Sequence, residues 1–71
     1  MVLEEPPKWV QRHIVLNKGY KPTMWFRVEK FEKHTMDPKE LIMKVKTIRI
    51  PGRPVVEYII DGTICTWRIV E

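Results

Sequence analysis

The dipeptide Asp61-Gly62, set between two runs rich in branched and aromatic residues, restricts this chain more than any other feature. Such a pair is a strong signal for a two-residue β-hairpin of type I′, whose central residues both need positive φ. The turn sets a register in which Ile60 pairs with Thr63, Ile59 with Ile64, Tyr58 with Cys65, Glu57 with Thr66, Val56 with Trp67 and Val55 with Arg68. Because strand side chains alternate, one face then carries Val56, Tyr58, Ile60, Cys65, Trp67 and Ile69 and is expected to be core. The other is polar in the middle, with Glu57, Thr66 and Arg68. Near the turn it is apolar, and there Ile59 and Ile64 are expected to cover another part of the chain or to meet a partner.

Composition extends the β reading to the rest of the chain. There is no alanine and no serine and there are only three leucines, against eight isoleucines, eight valines and five threonines. Branching at Cβ restricts χ1 in a helix but suits a pleated surface, so an all-helical bundle is excluded. The 71 residues suffice for one domain, and at 44% apolar and 31% charged the chain is expected to fold. No apolar run approaches the ~20 residues that span a bilayer.

Along the chain, residues 1–7 end in Pro6-Pro7 and read as an extended arm, flexible or docking. Residues 8–16, with Val10, Ile14 and Leu16 in one parity, read as a first strand, stopped by the turn formers of residues 17–22. From Thr23 onward, Met24, Phe26 and Val28 alternate with Trp25, Arg27 and Glu29, which predicts a second strand with the first set inward. Phe31 breaks that parity, so the strand has either bulged or ended near Glu29-Lys30. Residues 41–50 alternate well and read as a third strand. Before it, Asp37 is a competing N-cap, with Pro38 at the first helical position and Glu40 completing a capping-box pattern, which allows a turn of helix with Leu41, Ile42 and Val45 on one face. Pro51-Gly52-Arg53-Pro54 reads as a type II turn.

The expected architecture is therefore all-β with at most one short helical turn: a five-stranded antiparallel meander over residues 8–71, curled into an SH3-like or OB-like barrel to bury its apolar face. In size, charge and strand pattern it looks like the small SH3-like barrels, including the basic chromatin barrels of thermophilic archaea. No motif of those proteins lies residue by residue on this chain.

The net charge of +4 is unevenly placed. Residues 39–53 hold Lys39, Lys44, Lys46, Arg49 and Arg53 against Glu40 alone, whereas residues 54–71 are net acidic. With Lys44, Lys46 and Arg49 outward on the third strand and Trp25 and Arg27 outward on a neighbouring second strand, the exposed face would combine phosphate neutralisation with base stacking or a minor-groove wedge. Trp25, Arg27, Lys44, Lys46, Arg49 and Arg53 are thus the expected contacts to nucleic acid, duplex DNA ahead of RNA, with little sequence preference. The bland alternative is a solvated face on which Glu29 and Glu32 pair with Lys44 and Lys46, and Trp25, like Trp9 and Trp67, serves the core.

A different class of function is an accessory subunit or adaptor on a larger replication- or transcription-type enzyme, held through Pro6, Pro7, a sheet edge and the Ile59/Ile64 patch. Catalysis is not expected. His13 and His34 are the only acid–base pair on offer for ribonuclease-like work, and nothing brings them together. Neither a cofactor, nor a metal, nor a small-molecule substrate is expected: Cys65, His13 and His34 lack ligand spacing, there is no serine nucleophile, and three isolated glycines make no phosphate loop. A single cysteine and a start without a secretory pattern suggest a cytoplasmic protein. Scarce side-chain amides (Gln11 and Asn17 only), abundant charge and six prolines suggest a hot source, with a melting midpoint above ~60 °C.

Overall fold

The computed structural model describes residues 2–31 and 37–70, so His34 and Glu32 lie outside the described residues. The chain runs β1 (Val2–Leu3), α1 (Lys8–Lys18), β2 (Met24–Arg27), α2 (Pro38–Lys44), β3 (Lys46–Ile48), β4 (Val55–Asp61) and β5 (Ile64–Val70). The five strands form one mixed sheet in the order β1-β2-β5-β4-β3, with β2 parallel to β5 and the other neighbours antiparallel. The fold is mostly β, as composition requires, but it is an open sheet with two short helices and not a closed barrel.

The departure begins at residues 8–16, expected as a strand and folded as α1. Val10 and Ile14 are four residues apart, a spacing that shares a face in both a helix and a strand, so they suit either reading. Leu16 separates the two: a strand would bury it with them, and in the helix it is 85% exposed. The boundary signals are proline at the start and glycine at the end. Pro7 is the N-cap, its carbonyl accepting from the N–H groups of Val10 and Gln11, and Gly19 closes the helix at φ 82°, donating to the Val15 carbonyl. A helix over one face removes the reason for the sheet to curl. Val10 and Ile14 sit with Trp25, Ile48, Val56, Tyr58, Cys65 and Trp67 in a single core, with Trp9 and Ile60 against it.

The hairpin is present with a shifted turn. Observed pairs run from Asp61↔Ile64 through Ile60↔Cys65 and Tyr58↔Trp67 to Val55↔Val70, so the loop residues are Gly62 and Thr63, not Asp61 and Gly62. Only Gly62 has positive φ (62°), the pattern of a type II′ turn. Each residue's partner moves by two positions, and since the pleat repeats every two residues the expected core face survives: Val56, Tyr58, Cys65 and Trp67 are all buried. Ile69, at the far end of that face, is 41% exposed. The other turn forms as expected, with Gly52 at φ 81° and the Arg53 N–H donating to the Ile50 carbonyl at 3.1 Å.

Residues 41–50 divide between helix and strand. The Asp37 side chain accepts from the Lys39 N–H at 2.8 Å and Pro38 opens α2, so the capping alternative prevails through Lys44, leaving only Lys46–Ile48 as strand. Leu41 is the residue that α2 buries, while Ile42 is 78% exposed.

Two further corrections concern the N-terminal arm and β2. The arm belongs to the sheet: Val2 and Leu3 pair with Arg27 and Phe26, the Glu4 N–H donates to the Trp25 carbonyl, and Pro6 is buried with its carbonyl accepting from Gln11 Nε2 at 2.8 Å. The last bond also satisfies the one buried polar side chain among the described residues. On β2 the inward set is reversed. Trp25 is 4% exposed in the core and Met24 is 41% exposed, because β2 inserts beside β5 and meets α1 with its Trp25 side.

Candidate functional site

The strand order takes apart the surface expected on strands two and three. Between β2 and β3 lie β5 and β4, so their axes stand ~14 Å apart at the usual strand spacing. Trp25 is core and offers no ring to a ligand. Arg27 pairs with Glu4 (Nε to Oε2, 3.1 Å), Lys44 sits in the last turn of α2, Lys46 opens β3 opposite Tyr58, and Arg49 follows β3. Of the six expected contacts, Arg53 is the one tied to α1: its guanidinium lies over the Trp9 ring, 5.2 Å from the centroid.

That contact leads to a basic surface the sequence reading passed over. Between Glu5 and Glu29 there is no acidic residue, and the stretch carries Lys8, Arg12, Lys18 and Lys21 ahead of Arg27. Read as a strand, residues 8–16 would have spread these cations over two faces. As a helix, α1 sets Lys8, Arg12 and Leu16 at i, i+4 and i+8 on its outward stripe, opposite buried Val10 and Ile14. Lys8, Arg12, Val15, Leu16 and Lys21, with the edge of Gln11, line a groove of about 480 Å³. The absence of acids across residues 6–28 was the available signal, and it needed the helical period to become a surface.

Both ends of α1 are anchored to the sheet. Trp9 lies under Arg53 of the β3–β4 turn, and beyond the helix the Tyr20 hydroxyl donates to the Gly62 carbonyl in the hairpin at 2.8 Å. The groove therefore rests on a fixed element. By the pleat, Lys46 also falls on the α1 side of the sheet, with Ile48.

The opposite side has another character. Across adjacent strands it presents Leu3 beside Phe26, Met24 beside Ile64, and Ile59 beside Thr66. Arg68 crosses to Glu57 in an ion pair, and its Nε donates to the Glu29 carbonyl at 2.8 Å. Leu3, Met24 and Ile64 are 68%, 41% and 40% exposed, and Ile59 is half-buried. Leu41 and Ile42 of α2 and its C-cap Val45 form a second groove with Phe31, Thr47 and Glu57. Among the described residues the ion pairs are Glu4–Arg27 and Glu57–Arg68, so no cation of the α1 groove is neutralised by one.

No family model, curated protein or solved structure matches this chain. Cys65 is fully buried, and burial pushes its thiol up to about 12, so at neutral pH it is neither nucleophile nor ligand. Tyr58 is likewise raised above 10, by burial first and by the neighbouring Cys65 second, while a hydrogen bond with Asn17 acts the other way. Among the described residues no three His, Cys, Asp or Glu side chains cluster. No helix among them is long and apolar enough to cross a membrane.

Proposed function

We propose that this chain binds nucleic acid, duplex DNA by preference, largely without regard to sequence, through the outward face of α1. The observation that carries the reading is the stripe of Lys8 and Arg12 with Lys21 across the groove, on a helix fixed at both ends and bearing no acidic residue. Cations spaced one helical turn apart, ~6 Å, suit contacts to successive phosphates, and their neutralisation releases counterions. Arg53 adds a cation over Trp9 in the first turn of the helix. Lys44 and Arg49, on α2 and after β3, fall outside it.

Fluorescence anisotropy of labelled duplex DNA, single-stranded DNA and RNA over a salt series tests the reading. About four phosphate contacts give a slope of log affinity against log salt near −3.6 on duplex DNA. Lys8→Ala and Arg12→Ala should each reduce that slope by about one, and Lys44→Ala should leave it unchanged. Absence of binding at low salt, or equal slopes in all three variants, would refute the proposal.

A second reading, an accessory subunit or adaptor on a larger enzyme, is favoured by the run of exposed Leu3, Met24 and Ile64 across three adjacent strands. Ile59 and Ile64 remain its anchors, whereas Pro6 is buried and Pro7 is committed to capping α1. Ile64→Asp should then release a protein partner while leaving the salt slope on DNA intact.

A further inference from the structure

We infer that the α1 groove also takes an acidic, amphipathic segment of a partner protein, in which large apolar side chains are flanked on both sides by Asp or Glu. Two properties of the groove meet in such an occupant. Its lining is mainly apolar, with Val15 beside Leu16. Leu16 is 85% exposed, the most open large apolar side chain among the described residues. Around that lining stand Lys8, Arg12 and Lys21, and no acidic residue lies between Glu5 and Glu29. Just past the helix, the Tyr20 ring is 43% exposed and held through its hydroxyl by the Gly62 carbonyl, which adds a fixed apolar surface next to Lys21 in the chain.

Simpler ligands answer half of this surface. A phosphate backbone neutralises the cations and leaves Val15 and Leu16 in water. An apolar segment without acids covers Leu16 but strips water from cations that gain no partner. A lone carboxylate pairs with one cation of the three. Carboxylates on either side of an apolar side chain meet both demands, because charge-assisted hydrogen bonds form at the margin while the apolar group is buried between them. The groove's volume of about 480 Å³ is that of a small-ligand site, so a short segment fills it and a folded domain face does not. Such a segment and duplex DNA call on the same cations, so each displaces the other. That exclusion rests on the nucleic-acid reading, whereas the groove's affinity for the segment does not.

The test uses the full chain and a labelled, terminally capped peptide, Asp-Glu-Leu-Leu-Asp-Glu, followed by anisotropy at ~20 mM salt, where charge contacts are strongest. Asp-Glu-Ser-Ser-Asp-Glu keeps the charge of the probe, and Asn-Gln-Leu-Leu-Asn-Gln keeps its apolar pair. The parent should bind the probe and hold each control about tenfold or more less tightly, in keeping with the loss of a buried leucine or of its charge partners. Leu16→Gln should weaken the probe about tenfold while leaving affinity and salt slope on duplex DNA unchanged, and Lys8→Ala should weaken both ligands. Because Leu16 faces solvent, circular dichroism of Leu16→Gln should match the parent. Unlabelled probe should displace labelled duplex. Failure of a DNA-binding parent to bind the probe, equal binding of the serine control, or equal loss of probe and DNA in Leu16→Gln would overturn the inference and leave the nucleic-acid reading standing. Binding to vesicles of phosphatidylserine and phosphatidylcholine in place of the probe would overturn it in favour of a lipid surface. A parent that binds the probe through Leu16 but binds no DNA would uphold the occupant and refute the nucleic-acid reading.

Discussion

Deleting residues 1–5 should destabilise the protein by about 3–5 kcal/mol. The magnitude follows from bonds that converge on Glu4. Its N–H donates to the Trp25 carbonyl and its carbonyl accepts the Trp67 indole N–H, both at 2.9 Å. Trp67 is 2% exposed, so removing the acceptor strands an indole N–H at the margin of the core, at a cost of about 1–3 kcal/mol. The Trp25 carbonyl and the β1–β2 ladder add about 1 kcal/mol each. The Glu4–Arg27 pair, nearly half-exposed on both sides, adds less than about 1 kcal/mol. Against a total near 4–11 kcal/mol for a chain of this size, the loss is a large fraction. Urea melts followed by tryptophan fluorescence and circular dichroism would read it, with a fall in melting temperature of about 12 °C or more. If the truncated chain melts within about 1 kcal/mol of the parent, the segment is a tail and its hydrogen bonds carry no stability.

Trp25→Ala should cost about 3–5 kcal/mol in a urea melt, so loss of DNA binding in that variant would report unfolding and not a stacking contact. Gly62→Ala should cost about 1–2 kcal/mol through backbone strain alone, since φ is 62° and an added Cβ meets no atom within 4 Å; a thermal melt within error of the parent would count against the turn assignment. Cys65 should resist a thiolate-directed alkylating reagent at pH 8 in the folded chain and react in urea. Its thiol loses its proton near 9 when unfolded and near 12 when folded, so above pH 9 the unfolded state binds fewer protons and stability falls until about pH 12; Tyr58 pulls in the same direction, and urea midpoints from pH 8 to 11 that stay flat would contradict both.

Much of what was legible in the sequence is local. The Pro51-Gly52 turn, the hairpin face of Val56, Tyr58, Cys65 and Trp67, and the Asp37-Pro38 cap each depend on residues within a few positions of one another. The hairpin face survives an error in turn placement because a shift of two in pairing leaves every side chain on the same side. The candidate site was less legible. Its cations stand in the sequence as an acid-free stretch, but Lys8, Arg12 and Leu16 share a surface only if residues 8–18 are helical.

The sequence by itself determined a mostly β chain, the Pro51-Gly52 turn and the inner face of its last hairpin, since steric preference and short-range alternation act within a few residues. Tertiary structure decided the rest. Val10 and Ile14 suit either period, and α1 forms where one face of the sheet needs a cover. The inward side of β2 was settled by its parallel neighbour β5, nearly forty residues further along the chain, which buries Trp25 and turns Met24 outward. Alternation marks the two faces of a strand, but only its partners in space select the one that meets the core.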